Sequence, residues 1–86
     1  MSDPKAGSRA ALGSRCRELM QSPVFQEAMT AVNAEFERAI LSSKPIEAEA
    51  REELFKEYHA LKRVVSRLSK WESDGVMAQM EIERDN

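Results

Sequence analysis

An all-α fold is what this sequence predicts: an antiparallel helical hairpin with an additional short amino-terminal helix, expected to self-associate. Three observations carry it. Ala50, Leu54, Tyr58, Leu61, Val65, Leu68 and Trp71 form one apolar stripe with a mean spacing of 3.5 residues, the period of a helix packed lengthwise on another. Ser22-Pro23 is a helix start, and Ser42-Ser43-Lys44-Pro45 is a break too short for anything but a reversal of direction.

The chain begins with a polar segment, residues 1–7, read as a flexible tail although Asp3 before Pro4 is a cap signal. The helical domain is expected over residues 8–75. Leu12, Cys16 and Leu19 fall at i, i+4 and i+7 and predict a first helix from Ser8 to Gln21, weakened by Gly13 at a cost of about 1 kcal/mol against alanine.

At Ser22-Pro23 the serine hydroxyl can accept from free amides, and proline suits the first helical position because its missing N–H would be unpaired there anyway. The second helix then presents Val24, Ala28, Val32, Phe36 and Ile40, four apart, with Phe25, Met29 and Ala39 widening the stripe, and should end near Leu41 or Ser42.

The third helix is predicted from Ile46 to Asp74, about 43 Å at 1.5 Å per residue, overhanging the second. Gly75 reads as a left-handed cap ending it. Residues 76–86 read as a carboxy-terminal tail, helical or docked on a partner through Met77, Met80 and Ile82.

Composition bounds the function. One domain is the most that 86 residues can make, and 11 of the apolar residues are alanine, so the core is thin. A domain this short buries only about 60% of the surface its unfolded chain exposes, which makes association with copies of itself the default expectation. A net charge of −2 argues against a general nucleic-acid or membrane polycation. A lone Cys16 permits no internal disulfide, and no apolar run has the length of a signal peptide or membrane span; the expected setting is a reducing cytoplasm, including proteins made there and later built into a particle.

Charge is unevenly spread on the third helix. Glu47, Glu49, Glu52, Glu53 and Glu57 crowd its first turns, while Lys62, Arg63, Arg67 and Lys70 follow without an acid between Tyr58 and Trp71. This matches the helix dipole, aided by Glu47–Arg51 and Glu52–Lys56 at i, i+4. His59, Arg63, Arg67 and Lys70 also share one stripe away from the apolar seam, suited to phosphates or an acidic protein surface. Phe55 flanks the seam as a cover for the first helix or an exposed anchor, and Trp71 belongs to the core or an interface.

Catalysis and cofactors find no support in the pattern. His59 is the single histidine, no HExxH or CxxC spacing occurs, Cys16 reads as a small core residue, and Gly7, Gly13 and Gly75 form no phosphate-cradling loop. No enzyme, metal or cofactor is expected.

The run Glu18-Leu19-Met20-Gln21-Ser22-Pro23-Val24-Phe25-Gln26-Glu27-Ala28, the later Glu49-Ala50-Arg51-Glu52-Glu53-Leu54 and Gly75 resemble a group of short helical proteins encoded in tailed-bacteriophage head-gene clusters. The group has no established activity. The resemblance spans about residues 18–75 and implies a small phage protein working with a portal, a coat protein or the packaging machinery. A non-enzymatic protein–protein interaction module is the leading expectation, with Phe55, His59, Arg63, Arg67, Lys70 and Trp71 as partner-binding residues. A nucleic-acid-binding accessory of DNA packaging, using the basic stripe, is the second, and a small inhibitor of a host enzyme the third.

Overall fold

The computed structural model describes residues 5–85. The cap signal at Asp3-Pro4 lies outside them. Three α-helices follow in order, α1 (Ala6–Gln21), α2 (Pro23–Leu41) and α3 (Ala48–Asp85), with a single 3₁₀ turn, Pro45–Glu47, before the last.

The second helix starts and stops where its local chemistry requires. Ser22 is extended between α1 and α2, its Oγ accepts from the Phe25 amide at 3.4 Å, and Pro23 takes the first helical position. After Leu41 the Ser43 hydroxyl donates to the Ile40 carbonyl at 2.7 Å. The Arg51 guanidinium then reaches back to the Lys44 carbonyl at 2.7 Å and to Ser43 Oγ at 3.1 Å. The turn is thereby tied to the first part of α3. Arg51 does not pair with Glu47, whose carboxylate accepts from the Lys44 amide at 3.2 Å, and Lys56 pairs with Glu53 at 3.1 Å, not with Glu52.

Both α1 and α2 pack antiparallel on α3 and touch each other only around their junction. The pairing reads along the whole hairpin: Ser43 beside Arg51, Phe36 edge-on to Tyr58 at 5.7 Å between ring centres, Met20 beside Ser69, Arg17 with Glu72, Arg9 with Glu81. The molecule is accordingly long and thin, with extents of 62 × 24 × 14 Å.

The structure departs from the sequence reading in each helix. The third helix begins at Ala48, after the 3₁₀ turn, and runs through Gly75 to Asp85. Gly75 has no positive φ and caps nothing. It lies where α1 crosses: a Cβ on Gly13 would stand 2.7 Å from the Gly75 Cα and 2.9 Å from the Trp71 carbonyl oxygen. Two facing glycines let the backbones approach more closely than any pair with Cβ atoms would allow, so the expected overhang of α3 is instead covered by α1.

In α1 the buried positions are Ala6, Gly13 and Cys16, while Leu12 and Leu19 stay exposed. Large side chains are displaced from so close a crossing, and small ones fill it. In α2, Val24 and Ala28 face solvent, and Phe25, Met29, Val32, Phe36 and Ala39 are half-buried, the 3-and-4 stepping of a coiled-coil seam, with Ile40 half-buried beside it.

On α3 the same stepping runs Leu54, Tyr58, Leu61, Val65, Leu68, Glu72, Gly75. Leu61 and Leu68 are half-buried. Ala50 and Trp71 leave the seam, since its continuation from Leu68 is Glu72, paired with Arg17 at 3.7 Å. Among the described residues no large side chain is fully buried.

Candidate partner-binding surface

The six predicted partner-binding residues are all exposed, and the structure sorts them into three neighbouring surfaces instead of one. Phe55 belongs to the first. It is 45% exposed and lines a hollow with Phe36, Ile40, Leu41 and Tyr58, between α2 and α3 near the turn. It covers α2, not the amino-terminal helix, which packs at the other end of α3. Leu41 and Ile46, beside the turn, are among the most exposed large apolar side chains.

The second surface is the basic stripe. His59, Arg63, Arg67 and Lys70 do share one shallow hollow, joined by Lys62 and Ser66. Two of its cations are engaged: Lys70 Nζ lies 3.0 Å from an Asp74 carboxylate oxygen, one turn on, and Lys62 Nζ lies 5.0 Å from the centre of the Tyr58 ring. The Lys62 contact is a cation–π pair that holds the ammonium over the seam side of the helix.

Trp71 lies on the third surface, with Ala60, Val64 and Leu68, rimmed by Arg63 and Arg67. Trp71 is 38% and Val64 58% exposed. A solvent-facing tryptophan with arginines at its edge has the composition of an interface anchor. The spacing of Trp71 from Val64, seven residues, is the signal that separates this side from the seam, and it is readable in the sequence once Glu72 is recognised as the seam position.

Other groups are placed elsewhere. Cys16 is buried in the α1–α3 contact, and Arg9 and Arg17 bind Glu81 and Glu72 across it at 3.2 and 3.7 Å. Exposed pairs of this kind contribute little to stability but select one register of two helices. Among the described residues no three of His, Cys, Asp and Glu gather as a metal site would require, and no helix is long and apolar enough to cross a membrane.

The chain matches no family model, no curated protein and no solved structure.

Proposed function

We propose that this chain is a non-enzymatic helical interaction module of tailed-phage virion assembly, acting with copies of itself and with a larger component such as the portal, the coat protein or the packaging machinery. The observation that carries the reading is the distribution of apolar side chains. Phe55, Leu41, Val64, Trp71, Val76, Met77 and Met80 are exposed on a hairpin in which, among the described residues, no large side chain is fully buried. Such surfaces are expensive to leave in water, and they are the normal substance of contacts between proteins.

The hollow around Phe55 is the part assigned to the larger component. Its floor is aromatic and aliphatic, Asn33 and Glu37 stand at its rim, and it adjoins the exposed turn. The test is affinity capture from cells expressing the chain, comparing wild type with Phe55→Asp and identifying the captured proteins. Portal, coat or packaging proteins should be held by wild type and lost with the variant; capture of none of these by either would remove the assembly role.

The basic hollow favours a second reading, an accessory that touches nucleic-acid phosphates through Arg63, Arg67 and their neighbours. Binding that falls steeply with salt would select it over the protein-docking reading.

A further inference from the structure

We infer that α3 carries a second coiled-coil seam, built for the same helix of a second copy running antiparallel, with its two-fold axis at Ala60. The inference rests on the interaction-module reading and names one partner for it.

Ala50, Glu53, Glu57, Ala60, Val64, Arg67 and Trp71 advance by alternate steps of three and four, and every one is exposed. This is as regular a heptad stripe as the one α3 turns toward α1 and α2. It is rotated away from that first seam, so an additional helix can lie along it without displacing either. Over residues 50–71 the stripe is about 33 Å long.

Its content is self-complementary in one orientation only. Centred on Ala60, Glu53 lies seven residues before and Arg67 seven after, while Glu57 lies three before and Arg63 three after. An antiparallel copy therefore sets Glu53 against the other Arg67 and Glu57 against the other Arg63, each pair occurring twice by symmetry. At the ends, Trp71 falls opposite Glu49 of the other copy, with Ala50, a side chain small enough to leave room for an indole, next to it. Ala60 on the axis allows close approach, and Val64 supplies the apolar contact beside it. A parallel copy would set glutamate on glutamate and arginine on arginine. Like charges in direct opposition cost enough to exclude that orientation.

Two complementary variants of the full chain test this. E53R/E57R makes the stripe wholly basic and R63E/R67E makes it wholly acidic, so each should self-associate at least ~100-fold more weakly than wild type. Mixed in equal amounts they should form a heterodimer, because all four pairs are restored. Analytical ultracentrifugation reads the masses, with circular dichroism showing that each variant is helical. On wild type, emission from Trp71, the single tryptophan, should shift to the red as dilution separates the copies.

A wild type that is monomeric at about 100 μM, dimers indifferent to both charge reversals, or helical variants whose mixture stays monomeric would each overturn the proposal. So would an emission maximum unchanged by dilution. A monomeric chain that still captures an assembly protein through Phe55 would overturn the dimer alone. A dimer that captures none would overturn the assembly role alone.

Discussion

Gly13 and Gly75 face each other across the α1–α3 contact so closely that a Cβ on either would stand 2.7 Å from the other's Cα. Both obstacles are backbone, so no rotamer can relieve the clash and the helices must separate. In a solvated helix Gly→Ala gains about 1 kcal/mol. Overpacking of a close contact costs about 1–3 kcal/mol. Gly13→Ala and Gly75→Ala should therefore lower the melting midpoint despite better helix propensity. Gly7→Ala meets nothing within 4 Å and should raise it. A midpoint raised by all three would show that the helices are not held at this distance.

The same pair shows where reading the sequence succeeds and where it stops. Leu54, Tyr58, Leu61, Val65 and Leu68 announce their seam because large apolar residues repeat at 3.5-residue spacing chiefly where one helix packs along another. Ser22-Pro23 announces a helix start for an equally local reason. Gly75, by contrast, presents the same local signal whether it caps a helix or receives another one, and the deciding partner, Gly13, is 62 residues away. Leu12 and Leu19 misdirect the reading of α1 for a related reason. Their size marks them as core, but a crossing lined by Ala6, Gly13, Cys16 and Ala78 has no room for them. Among the candidate site residues, the basic stripe was legible as a stripe; the separation of Phe55 from Trp71 needed the seam register, which turns on one acidic residue, Glu72.

The central seam of α3 should be sensitive, though less than an enclosed core. Leu61 and Leu68 lie on this seam, and both are half-buried, not enclosed. Truncation of a fully buried leucine costs about 2–5 kcal/mol. Leu61→Ala should therefore cost about 1–3 kcal/mol in denaturant titration, a large part of the stability of so small a domain. Val64→Ala, on the exposed side, should cost well under 1 kcal/mol in the monomer. Equal effects at the two positions would contradict the seam assignment.

Arg51 should matter more to the turn than its exposed neighbours do. Its guanidinium serves the Lys44 carbonyl and the Ser43 hydroxyl together, at 2.7 and 3.1 Å. Arg51→Ala should destabilise by about 1–3 kcal/mol, the range for hydrogen bonds to a charged group. Arg51→Lys should recover only part of this, because both bonds come from the outermost guanidinium nitrogen, Nη1, and the lysine ammonium sits on a shorter stem. Hydrogen exchange at the turn amides should speed up in both variants; full recovery by lysine would leave the longer reach of the guanidinium without a role.

The basic stripe poses the last question, whether Arg63 and Arg67 serve contact or only solvation. Both are exposed, in hollows lined by residues of α3. Replacing both by glutamine should leave helicity intact and change stability by roughly 0–1 kcal/mol per residue. Self-association should weaken, because Glu53 and Glu57 of the second copy would lose their charged partners. If nucleic acid is also a ligand, the slope of affinity against salt should fall by about one to two units, following the phosphate contacts removed. Isothermal titration at several salt concentrations, alongside sedimentation, separates the cases. A protein partner through this stripe gives weaker binding with a shallow salt response, and phosphate gives a steep one in wild type that flattens in the variant. A folded double variant with unchanged self-association and unchanged salt response would reduce the stripe to a solvated helix face, and would take the Ala60-centred dimer with it.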